Sequence, residues 1–108
     1  MTGKPFESTA PMIAASVLSA DFAKVDREVD EVLKAGADFL HLDVLDGHFA
    51  PNISFGPRYV ECLRGVTSAY LDAHLMVTEP LQWAPHFAKA GAQNITYHIE
   101  TVAVFELK

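Results

Sequence analysis

Two ionisable side chains, His41 and Asp43, lie two positions apart in the apolar stretch that begins at Phe39. Successive side chains of an extended strand point to opposite faces, so these two share one face with Phe39. A strand of a parallel sheet is covered on both sides, and burying an imidazole and a carboxylate costs several kcal/mol unless a partner compensates. Each of the two side chains is therefore predicted to have a partner, which is the other side chain of the pair, a metal or a substrate.

A second apolar stretch, 70–77, repeats this pattern. Four of its side chains share one face by alternation, namely Tyr70, Asp72, His74 and Met76. Neutral imidazole nitrogen and carboxylate oxygen are ordinary ligands of zinc, iron, manganese and magnesium. His41, Asp43 and His74 therefore predict a metal or catalytic site, and a set of simply hydrogen-bonded side chains is the structural alternative.

The remaining pattern predicts the elements that position these residues. The predicted strands cover 12–18, the stretch from Phe39 to the break at Asp46–Gly47, 70–77 and 94–100. The predicted helices run from a cap at 19–21 to Gly36, from Pro57 to 64–65, and from 78–80 to Gly91, with Pro85 expected to kink or restart the third.

A repeated turn links these elements. Residues 34–37 read Lys-Ala-Gly-Ala, and 89–92 read the same, each between a helix and the next strand. This predicts a regular βα series with a parallel sheet, in which the strand ends meet at one rim. The side chains expected to point inward there are Ser16, His41, Asp43, His74 and His98. Taken alone, Ser16 is either a hydroxyl satisfied by a backbone hydrogen bond or a ligand contact, and the structural interpretation is favoured.

Composition limits the class of protein. The chain has 108 residues, of which 50% are hydrophobic, and this fits one small packed domain. Its net charge of −6 argues against nucleic acid and anionic membrane surfaces as partners. The single cysteine, Cys62, excludes a disulfide framework and is predicted to be a partly buried structural residue in a reducing compartment. Without a signal-peptide pattern or a run of ~20 apolar residues, the chain is predicted to be cytoplasmic.

Several segments together resemble the ribulose-phosphate 3-epimerase family. They are Ala-Ser-Val-Leu-Ser-Ala-Asp-Phe at 15–22, His-Leu-Asp-Val-Leu-Asp-Gly-His-Phe-Ala-Pro-Asn at 41–52, Asp-Ala-His-Leu-Met-Val at 72–77, and Ala-Gly-Ala at 90–92 with Thr-Tyr-His-Ile-Glu at 96–100. The segments follow the family's order and extend over nearly all of 12–100. The resemblance implies a (β/α)₈ barrel that interconverts D-ribulose 5-phosphate and D-xylulose 5-phosphate in the pentose phosphate pathway.

The resemblance also implies a role for each site residue. His41, Asp43 and His74 would bind one divalent metal (zinc, iron, manganese or magnesium), and Asp43 would also be the proton acceptor. Ser16 and His74 would contact the pentulose 5-phosphate, and Met76 would line the site beside the reacting carbons. The chemistry suits these residue types, because removing the proton beside a ketone leaves an ene-diolate whose charge a cation stabilises. Leu45 and Ala15 depart mildly from the family pattern, which commonly has methionine and proline there.

The family's second catalytic aspartate and its glycine-rich phosphate-binding segments come from strands beyond Glu100. A complete barrel needs at least about 200 residues. We therefore expect residues 1–11 to be a flexible N-terminal segment and residues 12–108 to be the N-terminal half of a ribulose-phosphate-binding barrel, inactive by itself. The alternatives are an epimerase of another ketose phosphate such as a hexulose 6-phosphate, a non-catalytic truncated fragment, and a half barrel that forms a homo-oligomer by closing its sheet with a second copy.

Overall fold

Four strands alternate with three helices in the structure, a computed structural model that describes residues 10–102. The strands are β1 (Ala14–Ser16), β2 (Phe39–Leu45), β3 (Leu71–Met76) and β4 (Asn94–Tyr97). The helices are α1 (Val25–Lys34), α2 (Pro57–Val66) and α3 (Pro80–Ala90). Short 3₁₀ turns cover Val17–Ser19, Phe22–Lys24 and Ile99–Thr101.

The strands form one parallel sheet in chain order, β1-β2-β3-β4. Because each strand lies beside the next one along the chain, the connections are regular βα crossovers, as in one half of a (β/α)₈ barrel. The register places Ser16 beside His41, and Asp43 beside His74. The predicted fold class is confirmed, and the register brings the predicted site residues to neighbouring positions.

The helices cover one face of the sheet and form the core with it. Leu40, Leu42, Leu71 and Leu75 are fully buried and face α2 and α3, which contribute Val60, Leu63 and Phe87. Fourteen buried residues form this cluster, so the apolar alternation along β2 and β3 is satisfied on the helix side. The opposite face of the two strands carries the histidines and aspartates, together with Phe39 and Met76.

The repeated turns adopt the same backbone conformation. Gly36 and Gly91 have φ values of 117° and 127°, which glycine tolerates and other residues rarely adopt. In each turn the following alanine N–H donates to a carbonyl five residues back, Ala37 to Val32 at 3.2 Å and Ala92 to Phe87 at 3.1 Å. The prediction of a repeated helix-to-strand turn is confirmed.

Several predicted boundaries were wrong. The first strand covers only Ala14–Ser16, because Ser16 accepts a hydrogen bond from the N–H of Leu18 and starts a 3₁₀ turn. The first helix begins at Val25 instead of following directly from its predicted caps, because Asp21 caps a separate 3₁₀ turn. The fourth strand ends at Tyr97, where a 3₁₀ turn begins.

Two single-residue predictions also differ from the structure. Pro85 does not restart its helix, since α3 runs without interruption from Pro80 to Ala90. Pro85 and Leu81, four residues earlier, are exposed, so water can replace the missing N–H donor at the Leu81 carbonyl. Cys62 is exposed on α2 instead of partly buried. The predicted flexible segment 1–11 falls mainly on residues 1–9, which, like 103–108, lie outside the described residues.

Candidate functional site

His41, Asp43 and His74 meet on the face of the sheet that the helices leave uncovered. Asp43 Oδ1 lies 3.0 Å from His41 Nε2 and 3.3 Å from His74 Nδ1. The three side chains are half-buried, and each offers one ligand atom within 4.8 Å of the others. The structure therefore brings the three predicted metal ligands together.

These donor atoms fit a divalent cation. Two ligand atoms that share a tetrahedral cation at about 2.1 Å are about 3.4 Å apart, close to the two distances at Asp43. Two imidazole nitrogens and one carboxylate oxygen also form a common ligand set for such a cation. The site can therefore hold one divalent cation without rearrangement of its strands, and its donor set does not distinguish between zinc, iron and manganese.

Two further side chains, at positions outside the metal set, are predicted to contact the substrate. Ser16, on β1, donates from Oγ to Asp43 Oδ2 at 3.1 Å and accepts from the N–H of Leu18 at 3.4 Å. Its hydroxyl therefore has the backbone contact expected of a structural serine and also touches the site. Met76 is half-buried on β3, two residues after His74 and on the same face. Their contacts with a substrate stay a prediction.

Two further residues contact the outer nitrogens of the histidines. Asp72 Oδ2 lies 2.8 Å from His41 Nδ1, and Asp72 Oδ1 accepts from the Asn94 side-chain amide at 2.7 Å. His98 Nε2 lies 2.9 Å from His74 Nε2, with the two rings stacked at 5.0 Å between centroids. Each histidine of the cluster therefore has both ring nitrogens engaged.

The loop after β2 is held against the site by Asp46. Its carboxylate accepts four hydrogen bonds, from the N–H groups of His48, Phe49 and Thr78 and from the Thr78 hydroxyl, at 2.9–3.2 Å. Burial raises the pKa of Asp46, but these hydrogen bonds outweigh it and lower the pKa to about 2. The loop places the Phe49 ring 4.8 Å from that of His98. Asp46 thus fixes one wall of the site.

Sequence reasoning missed the roles of Asp72, His98 and Asp46. Alternation places Asp72 on the face of His74, and the strand register of the structure sets it beside His41, which alternation alone does not predict. His98 was expected to point inward, although no partner was assigned to it. Asp46 was interpreted only as the residue that breaks the strand. Glu100, placed at the end of the predicted strand 94–100, instead lies in a 3₁₀ turn and is exposed.

Comparison with known proteins places most of the chain in one family. A sequence model of the Ribulose-phosphate 3 epimerase family matches residues 12–107. The chain is 50% identical over 93 residues to the cytoplasmic isoform of ribulose-phosphate 3-epimerase from Oryza sativa subsp. japonica, covering 86% of this chain and 41% of that protein. It is 53% identical over 88 residues to ribulose-phosphate 3-epimerase of Bacillus subtilis (strain 168), covering 82% of this chain and 41% of the relative.

These relatives are longer than this chain, and their names differ in cellular location. The chain spans about two-fifths of the length of the curated relatives it matches. A relative from Arabidopsis thaliana, 45% identical over 102 residues, is named as chloroplastic, whereas the rice protein is named as cytoplasmic. The cytoplasmic location of this chain therefore stays a prediction. Within residues 10–102, none of the helices has the length and apolar character needed to cross a membrane.

Proposed function

The chain belongs to the ribulose-phosphate 3-epimerase family, and from that premise we propose that it provides the metal-binding and proton-accepting half of such an epimerase. The substrate would be a pentulose 5-phosphate, with D-ribulose 5-phosphate and D-xylulose 5-phosphate as the interconverted pair of the pentose phosphate pathway. The observation that carries the proposal is the convergence of His41, Asp43 and His74 in a family whose relatives are named for this reaction.

In this proposal Asp43 takes the proton from C3 of the substrate. Its carboxylate is half-buried and held on one oxygen by the Ser16 hydroxyl, so its position is fixed before the substrate binds. A divalent cation, when bound by His41, Asp43 and His74, would supply positive charge that stabilises the ene-diolate left by deprotonation. Ser16 and His74 would orient the substrate, and Met76 would keep water from the reacting carbons.

In this proposal Ser16 supports both the positioning of Asp43 and the orientation of the substrate. Its hydroxyl donates to Asp43 and is anchored by the N–H of Leu18, so it sits where a substrate oxygen could take over one of its hydrogen bonds.

The relatives' names favour a pentulose phosphate over the hexulose 6-phosphate alternative. Sequencing the DNA beyond the codon for Lys108 tests the alternative of a truncated, non-catalytic fragment, because a continuation with a further inward aspartate and a glycine-rich segment would contradict it.

A chimeric enzyme tests the proposal. The matching N-terminal segment of the Bacillus subtilis relative is replaced by this chain, and interconversion of the two pentulose phosphates is measured in a coupled assay. We expect turnover that is lost on treatment with a chelator and restored by a divalent metal. A chimera that folds but shows no turnover with its metal restored would contradict the proposal.

Two carboxylate variants of this chimera make the test specific. Asp43→Asn removes the proton acceptor and a metal ligand, and should lower kcat by at least about 10²–10⁴-fold. Asp30→Asn is the control, since Asp30 pairs with Lys34 on the exposed face of α1 and should leave kcat unchanged. Equal activity in both variants would reject Asp43 as the proton acceptor.

A further inference from the structure

We propose that Asp72 and His98 are positioning residues that hold His41 and His74 by the ring nitrogens facing away from Asp43. The inference rests on the proposed function only in requiring that the cluster binds a divalent cation. Neither residue is one of the three clustered ligands, and each contacts a different histidine. Together they determine which nitrogen each imidazole presents to the site.

Asp72 fixes the ring of His41. It is the only buried charged side chain in the described part of the chain, with 7% of its surface exposed. Burial of a carboxylate is costly unless it is hydrogen-bonded, and here both oxygens have partners, the Asn94 amide and His41 Nδ1. An ionised carboxylate can only accept, and both ring nitrogens of His41 face one, Asp72 at Nδ1 and Asp43 at Nε2. With a cation shared between Asp43 and Nε2, the hydrogen lies on Nδ1, where Asp72 accepts it, and the Nε2 lone pair binds the cation.

His98 fixes the ring of His74 with the hydrogen on the other nitrogen, Nε2 instead of Nδ1. The two Nε2 atoms are 2.9 Å apart, so one must donate and the other accept. Glu100 Oε1 lies 3.6 Å from His98 Nδ1 and favours the proton on that nitrogen, so His98 Nε2 is the acceptor. His74 Nε2 therefore donates, and its Nδ1 lone pair is left to bind the cation that Asp43 Oδ1, 3.3 Å away, would share. The Phe49 ring also packs against His98.

Two different nitrogens are thus presented to one cation, Nε2 from His41 and Nδ1 from His74. An outer partner that accepts from a ligating imidazole makes the ligand more basic and fixes its orientation, and losing such a partner lowers metal affinity by about 10–100-fold. Asp72 and His98 lie on or directly after separate strands, β3 and β4. The orientation of the histidines is therefore set by the sheet.

Zinc affinity of the 108-residue chain, measured by competition with a chromophoric chelator, tests this assignment. Asp72→Asn keeps the shape of the side chain but removes its charge, and His98→Phe keeps the ring stacking but removes both nitrogens. Each should weaken zinc binding by about 10–100-fold. The control is Glu61→Gln, which removes an exposed carboxylate on α2 that pairs with Arg58, and it should leave the affinity unchanged.

Nitrogen-15 spectra of the zinc-loaded wild-type chain provide a second measurement that does not depend on the variants folding. We expect His41 to have zinc on Nε2 and hydrogen on Nδ1, and His74 to have the reverse. Zinc bound with either assignment exchanged, or an unchanged affinity in both variants, would overturn this inference alone. A wild-type chain that binds no zinc would overturn the proposed metal site and this inference with it.

Discussion

The Asp46 carboxylate connects the loop after β2 to the start of the loop after β3. Each of its oxygens accepts two hydrogen bonds, one pair from His48 and Phe49 and the other from Thr78. Because Phe49 packs against His98, which contacts His74, Asp46 links the loop to the cluster of His41, Asp43 and His74. The Asp46 carboxylate itself makes its hydrogen bonds to the two loops.

Replacing Asp46 by asparagine should destabilise the chain in a pH-dependent way. The pKa of Asp46 is lowered from 3.8 to about 2 in the folded chain, so its charge stabilises the fold above pH 3.8, and that stabilisation is lost as pH falls towards 2. After discounting for solvent around the carboxylate, we expect Asp46→Asn to cost about 1 kcal/mol at pH 7. Urea unfolding between pH 3 and pH 7 measures the difference.

The matched control for this experiment is Glu31→Gln, an exposed carboxylate on α1. It should change the free energy of unfolding by less than about 0.5 kcal/mol at each pH. A destabilisation by Asp46→Asn that stays constant from pH 7 to pH 3 would show that the charge of Asp46 is not what stabilises the loop.

At the scale of elements, the helix-to-strand turns after α1 and α3 have the same backbone but different surroundings. A Cβ added at Gly36 would meet nothing within 4 Å, whereas one added at Gly91 would lie 2.9 Å from Arg64 Cγ. The Arg64 guanidinium donates to the carbonyls of Thr67, Ala69 and Gly91 and to the side chain of Gln93. Arg64 therefore ties the end of α2 to the turn that starts β4.

This difference predicts unequal effects of the same substitution. Gly36→Ala should cost about 1 kcal/mol, because alanine is strained at positive φ. Gly91→Ala should cost about 2–3 kcal/mol, since it adds the same strain and also displaces Arg64 from hydrogen bonds worth about 1 kcal/mol each. Urea unfolding of both variants measures the two losses in free energy of unfolding. Equal losses would contradict a role for Arg64 in the turn.

The sequence predicted the elements better than their ends. Alternation along β2 and β3 was sufficient to identify both strands and the face carrying His41, Asp43 and His74, because buried strands impose a strict period of two. The ends depend on local hydrogen bonds that hydrophobic periodicity does not report, as at Ser16 and Asp21. The outer contacts of Asp72 and His98 depend on register between strands, which a single segment does not encode.

At the scale of the whole molecule, β1 and β4 are the outer strands of the described sheet. In a (β/α)₈ barrel the corresponding strands have further neighbours, and the chain covers about two-fifths of its relatives. Association of two copies through these outer strands stays a prediction. Light scattering of the purified 108-residue chain tests it, and a well-folded, strictly monomeric protein would count against a half barrel that dimerises.

The 108-residue chain by itself should bind the metal but have little epimerase turnover. His41, Asp43 and His74 all lie within it, so we expect it to bind one divalent metal per chain. Epimerisation also requires a proton to return to the opposite face of the carbon, and the family resemblance assigns that acid to a later strand. Because a missing acid costs about 10²–10⁴-fold, turnover should fall below that of the Bacillus subtilis chimera by at least that factor. Metal binding with turnover near that of the chimera would contradict this division of roles.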